Sequence, residues 1–195
     1  KPSETPAMYS LMNYADWNLG TWYPQGGMYK VIEAMEQICL EQGVKIETNS
    51  NVEKIITAGN RARGISVNKQ EIHSDIIIGT ADYHHIDQHL LPKEKRNYDE
   101  KYWDSRQLSP SCLLYYVGVK KKVANLLHHT LFFDTDFDKH LDEIYDSKEW
   151  PSNPLFYVCA PSKTDKSVAP EGDESLFILI PVAVNLKDEE SLHNK

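Results

Sequence analysis

Gly20-Thr-Trp-Tyr-Pro-Gln-Gly-Gly-Met28 runs directly into an apolar-periodic stretch, residues 28–42. A double glycine at the mouth of an amphipathic helix lets another backbone, or a flat ligand, approach where a Cβ would block it. The helix behind it carries unsatisfied N–H groups and the positive end of a macrodipole, which suits an anionic or electron-rich ligand edge. Met28, Val31, Ile32, Met35, Ile38 and Cys39 recur at helical spacing, Glu33, Glu36, Gln37 and Glu41 fall on other faces, and Gly43 is a natural stop. The nine glycines nowhere form GxGxxG or GxxxxGK[ST]. The chain therefore holds no complete cradle for a dinucleotide or nucleoside triphosphate.

Outward from this junction, Val44–Thr48 alternates as a strand. Val52–Thr57 and Ala62–Val67 read as strands joined across Ala58-Gly59-Asn60, and Asn68-Lys69-Gln70 turns back toward Glu71-Ile72-His73. Asp75-Ile-Ile-Ile-Gly79 does not alternate. Such a run predicts a strand covered on both faces, neighbouring 44–48 in a parallel sheet. Asp82 is placed to cap a helix over 83–91, which Pro92 ends. Further strands are expected at 113–119, 131–133, 155–159 and 176–180, with a short helix over 138–145. Composition shifts near residue 108, from a βα layer to an antiparallel sheet with proline-rich links. The expected fold class is α+β with an α/β-like first part.

With 195 residues and 41% hydrophobic content the chain can bury a core. A net charge of −8 disfavours nucleic acid as a partner. Cys39, Cys112 and Cys159 are far apart and form no CxxC pair, as expected of free thiols in a reducing compartment. The best apolar run, 176–184, contains Pro181 and falls short of the roughly 20 residues a membrane-crossing helix needs. The opening Lys1-Pro-Ser-Glu-Thr-Pro-Ala7 has no signal-peptide pattern, and both ends suggest a segment of a longer polypeptide.

His85 and His89 stand at a metal-ligand spacing, but Ile86 occupies the place HExxH reserves for glutamate. Asp134, Asp136 and Asp138 open like a calcium loop, which Lys139 and Tyr145 then break. No metal site is expected, and an acid-rich helix start explains the aspartates. His128-His129 points to opposite sides of an extended segment, one ring against a pocket and one exposed. No GxSxG elbow exists and Cys159 has no cationic neighbour in sequence, so no catalytic residue is assigned. Tyr115, Tyr116, Phe132, Phe133, Phe137, Trp150, Phe156, Tyr157 and Phe177 fit either core packing or the wall of a tunnel for a large apolar ligand.

Several phrases taken together carry a resemblance. They are Gly20–Met28, Asn49-Ser-Asn-Val-Glu-Lys54, Ala81-Asp-Tyr-His-His85, Tyr98-Asp-Glu-Lys-Tyr-Trp103, Leu126-Leu-His-His129 with Phe132-Phe-Asp-Thr-Asp-Phe137, Trp150-Pro with Pro154-Leu-Phe-Tyr157, and Pro161-Ser-Lys-Thr-Asp165 with Val168-Ala-Pro-Glu-Gly172. Nearly the whole chain resembles the middle section of bacterial phytoene (carotenoid) desaturases, of the FAD-dependent amine-oxidase-like superfamily; related isomerases and ketolases share the pattern. The resemblance implies part of a three-layer FAD-binding domain over residues 26–108, with a β-meander. It implies a substrate-binding domain with an antiparallel sheet over 109–195, and substrate-domain strand within 1–25. Val52 would set its backbone against the adenine end of FAD. Ala81 and Asp82 would lie close to the same cofactor, and Gly26 and Gly27 would face its substrate side. Trp22, Tyr115, Phe132 and Phe133 would line the channel for a long polyene.

The family's glycine-rich βαβ unit and its C-terminal flavin-contacting segment have no counterpart here, so this stretch by itself is expected to retain no FAD and no activity. The missing N- and C-terminal parts, the polyene and a membrane surface are the implied partners. The implied location is cytoplasmic with peripheral membrane attachment. The alternatives are a free-standing isoprenoid- or lipid-binding module without redox activity and, third, a histidine-metal hydrolase.

Overall fold

The computed structural model describes residues 5–187, and both of its sheets are antiparallel. The chain divides into two compact units, one spanning Leu40–Gln107 and the other joining the stretch through Cys39 to the residues from Leu108 onward.

In the first of these, β1 (Val52–Ala58), β2 (Arg61–Val67) and β3 (Gln70–His73) form a meander in that order. Asn68 and Lys69 take φ of 50° and 65°, and Val67 pairs with Gln70 across them. This is the left-handed two-residue turn that matches strand twist. Ile55 and Val67 are buried. Gly64 lies beneath β3, where any Cβ would run into the Ile72 carbonyl.

Asp82 caps α3 (Tyr83–His85), accepting from His85 N–H at 3.0 Å, and the chain continues as a wide helical turn over Ile86–Leu90. Asp87 is wholly buried there. Its carboxylate accepts from Asn97 N–H at 2.8 Å, Gln88 Nε2 at 2.7 Å and Trp103 Nε1 at 3.3 Å. Burial pushes this carboxyl up, but those donors outweigh it and hold it below its ordinary value. Asp99 caps α4 (Glu100–Asp104), which carries Tyr102 and Trp103 into a ring cluster with Tyr83 and Tyr98.

The second unit holds a sheet of order β4-β7-β6-β5, formed by β4 (Ser111–Val119), β5 (His129–Phe132), β6 (Phe156–Cys159) and β7 (Glu174–Val182). Its core gathers Ile144, Leu155, Val158, Ala160, Val182 and Ala183. Asp136 caps α5 (Phe137–Asp142), whose buried His140 accepts from the Leu155 N–H at 2.9 Å. A helix cap thus accounts for the central member of the aspartate trio.

Three sequence expectations need correction. Segments 44–48 and 75–79 are irregular, with bends at 48 and 75, and are not strands. An alternating or wholly apolar pattern selects side-chain faces, whereas a strand also needs a hydrogen-bonded neighbour, and among the described residues neither segment has one. Ile76 and Ile78 are accordingly 76% and 82% exposed. Residues 7–19, within the stretch expected to add a strand, form helical turns around α1 (Ser10–Tyr14). The predicted helix over 28–42 is present as α2 (Tyr29–Glu41), with its apolar face in solvent: Met28, Val31, Ile32, Met35 and Ile38 are all exposed.

The buried ion pair of the second unit is Lys163 with Glu174. Lys163 Nζ lies 2.6 Å from Glu174 Oε1 and donates to the Val123 carbonyl, while the Glu174 side chain is fully buried. Burial pushes this carboxyl up, yet Lys163, the Val123 backbone and Lys122 bring it below its ordinary value of 4.5. A depressed carboxyl contributes stability that is present above its unfolded value and is lost as pH falls through the folded one. Lys163→Met strands the charge. It should lower the unfolding free energy at neutral pH by about 3–5 kcal/mol in a urea titration, with the deficit shrinking as the pH drops through the carboxylate range. An unchanged unfolding midpoint would refute this account.

Candidate functional site

The loop preceding α2 is held from 139 residues away. Gly26 N–H donates to Asp165 Oδ2 at 2.6 Å. Gly26 and Gly27 take φ of 92° and 101°, a region other residues enter only with strain. The Gly27 N–H is also spent, on the Pro24 carbonyl at 3.2 Å. A ligand reaching this loop would therefore meet bare Cα faces, since both donors are occupied; the anion at Gly26 is the protein's own. Asp165 is buried, also accepts from the Ser167 hydroxyl and N–H, and is held below its ordinary value by Ser167 first and Gly26 next.

Tyr23, in the same loop, sets its ring edge against His128 at 4.7 Å. Burial raises its phenol pKa, helped by Asp165 and Cys159. His128 Nδ1 bonds the Thr164 hydroxyl at 2.6 Å, and His129 Nδ1 bonds the Tyr157 hydroxyl at 2.5 Å. Burial, then the neighbouring His129 charge, lowers the His128 pKa, while burial and Cys159 push the Tyr157 phenol well up. Among the described residues, His128, His129 and Cys159 are brought together, with one ligand atom of each within 4.8 Å of the others.

Strand register sorts the sheet into two faces. Leu114, Leu179, Tyr157 and Leu131 stand in one row across all four strands; Tyr116, Phe177, Cys159 and His129 stand in the next. At roughly 4.8 Å per strand the rows run about 14 Å. They form an apolar slab that ends at the His129–Cys159 pair. Its outer members are open: Tyr116 is 80% exposed and Leu131 61%. Tyr116 and Tyr157 both pack against Phe177.

The residues singled out for a channel do not gather on this slab. Tyr115 pairs with Ile178 on the other face, and Phe132, stacked on Phe156 at 4.4 Å, shares that face. Phe133 lies past β5, edge-on to Phe137. Trp22 is 86% exposed, with its indole N–H on the Leu19 carbonyl. Of the proposed cofactor contacts, Val52 opens the edge strand β1, Ala81 is exposed, and Asp82 spends a carboxylate oxygen on its helix cap. Gly26 and Gly27 belong to the other unit. The wide turn at 86–90 brings the His84 and His85 rings to 5.9 and 5.3 Å from His89, edge-on and tilted, but these three do not form a metal-ligand group among the described residues. Sequence reasoning missed Asp165 as the anchor of the glycine loop and His129 as the neighbour of Cys159. The only available signal was their presence in recurring phrases, because both contacts are long-range.

Asp165→Ala removes the acceptor of Gly26. Protease cleavage within 20–28 should rise on the order of tenfold, mapped by mass spectrometry. Because the Asp165 value is depressed, the wild-type loop should stay protected above the ordinary carboxylate range and loosen as pH falls through the folded value. Equal cleavage of both proteins would remove Asp165 from this role.

The family model of flavin containing amine oxidoreductase matches residues 1–166. A carotenoid 3,4-desaturase of Haloarcula japonica is 42% identical over 197 residues, covering 100% of this chain and 39% of that protein. A zeta-carotene-forming phytoene desaturase of Myxococcus xanthus is 34% identical over 182 residues, covering 93% and 35%. The crystal structure of an oxidoreductase from Methanosarcina mazei superposes with a TM-score of 0.64 at 18% identity, over 96% of this chain and 40% of that one, and so shares the fold. The chain spans well under half the length of the relatives it matches.

Proposed function

The chain belongs to the flavin containing amine oxidoreductase family, and from that premise we propose that it supplies part of the cofactor domain and the substrate sheet of an FAD-dependent desaturase acting on a long polyene. The observation that carries this reading is the open apolar slab Leu114-Leu179-Tyr157-Leu131 beside Tyr116 and Phe177. A rod-like hydrocarbon needs a long, flat, desolvated surface with few polar interruptions.

The residues present fit one end of the cofactor. Val52 lies at the start of β1, which pairs with β2 on one side only, so its outer backbone edge is available to an adenine ring. Ala81 and Asp82 follow as candidates in the same unit. The chain has no glycine-rich phosphate cradle, so the pyrophosphate is assigned to parts of the protein outside this stretch. When bound, FAD would supply a hydride acceptor for one hydrogen of the polyene, the second leaving as a proton to a base or water. The chain's own residues hold and desolvate the substrate: the slab presses on its face, and the Gly26–Gly27 loop, fixed by Asp165, lets it approach closely. No side chain here is assigned as the base.

The exposed apolar face of α2 and the unpaired segments 44–48 and 75–79 support docking of the further chain that the longer relatives possess. A membrane surface is the proposed source of so apolar a substrate. The turns over 7–19 leave Met8, Leu11, Met12, Trp17 and Leu19 exposed with only Asp16 charged, as an interfacial segment requires. Among the described residues no helix is long and apolar enough to cross a membrane.

The deciding experiment is expression of the complete reading frame followed by a visible spectrum. A yellow protein with a bound-flavin spectrum is expected; a folded, colourless one sinks the proposal and leaves a lipid-binding module. In the yellow protein, Tyr116→Asp should abolish polyene binding while flavin content stays unchanged. Co-sedimentation with phospholipid vesicles should fall on the order of tenfold in Met12→Asp, since burying one such side chain is worth about 1.5 kcal/mol or more. Equal sedimentation would exclude the 7–19 segment as the contact.

A further inference from the structure

We propose that His128, His129 and Cys159 form a binding site for a divalent transition-metal ion of the Zn2+ class at the edge of the apolar slab. Their ligand atoms already lie within 4.8 Å of one another. A tetrahedral ion with Zn–N near 2.0 Å and Zn–S near 2.3 Å needs separations of about 3.3–3.6 Å, so closure asks for small side-chain rotations only. Thiolate with two imidazoles selects a borderline-soft ion over Mg2+ or Ca2+.

The scaffold supports this set from two independent directions. His129 and Cys159 are directly paired across β5 and β6, which puts their side chains on one face at adjacent positions. His128 arrives from just outside the ladder, and its ring is turned to within 4.4 Å of the His129 ring, centroid to centroid. Each imidazole also has its Nδ1 engaged by a hydroxyl, from Thr164 and Tyr157 respectively. The Thr164 hydroxyl also reaches the Pro161 carbonyl at 3.3 Å; when its proton goes there, His128 Nδ1 donates in the 2.6 Å bond and Nε2 keeps a free lone pair. A ring nitrogen tied to an outer partner, with the other free for the metal, is the usual support of a histidine ligand. The cluster is only partly buried, so an ion has a way in. Three protein ligands leave a fourth position open.

The test uses the intact protein, reduced and stripped of metal, titrated with Co2+. One equivalent should bind, with a thiolate-to-cobalt charge-transfer band, and Zn2+ should displace it. Cys159→Ser should abolish the band. Tyr157→Phe keeps all three ligands but frees the His129 ring, and should weaken binding roughly 10–100-fold. In the wild type, Zn2+ should slow alkylation of Cys159, with exposed Cys112 as the internal control; this arm stands even if the Ser variant fails to fold. Absence of stoichiometric Co2+ uptake by folded wild type, a band that survives Cys159→Ser, or Zn2+ slowing both cysteines equally would overturn the site. Each of these results would reduce the cluster to a hydrogen-bond network. None depends on flavin, so failure here leaves the proposed function standing.

Discussion

Four consecutive side chains, Ser162 to Asp165, tie the second unit together, the first two to β7 and the last two to His128 and Gly26. The Ser162 hydroxyl accepts from the Ser175 N–H in β7. Lys163 pairs with Glu174 and reaches the Val123 carbonyl. Thr164 holds His128, and Asp165 holds Gly26. The loop can do this because the turn opened by Pro161 sends successive side chains in different directions. It is itself fixed by Ala160, which is fully buried and donates to the His128 carbonyl at 2.8 Å. Remove the loop and the glycine-rich neck, the histidine pair and the end of β7 lose their common reference.

Against that well-tied centre stand large apolar side chains left exposed. Met28, just before α2, and Val31, Ile32, Met35 and Ile38 on it face water, as do Ile76 and Ile78. Fully burying a side chain of this kind contributes about 1.5–3 kcal/mol. Seven of them together rival the net stability of a whole domain, roughly 5–15 kcal/mol. Under the proposed function, surfaces with that much unspent burial are where further chain docks. The slab on β4–β7–β6–β5 differs in kind. It is aromatic at Tyr116, Phe177 and Tyr157 and ends in titratable groups, which is the make-up of a ligand surface more than of a buried joint.

Local physics was readable from sequence wherever a short stretch decided the outcome. The α2 periodicity, the Asn68-Lys69 turn and the Asp82 cap depend on contacts within a few residues, the four strands of the second sheet show their residue preference locally, and all are found close to where the pattern puts them. Side-chain face was not readable in β4. Leu-Leu-Tyr-Tyr-Val is apolar at both parities, so nothing local says that Tyr116 and not Tyr115 lies on the open slab. The expected parallel strands failed for the opposite reason: Val44, Ile46 and the Ile76–Ile78 run carry a strand's side chains, but pairing is a property of two segments.

The sequence by itself determined the family, the absence of a phosphate cradle and the character of each local element, because these are written in residue types at fixed short spacing. Only the tertiary structure decided that Asp165 closes the Gly26 turn, that His128, His129 and Cys159 converge, and which rows of the sheet form the slab. Those outcomes rest on strand register and on hydrogen bonds between residues up to 139 positions apart, and a contact between distant segments leaves no periodic trace in either of them.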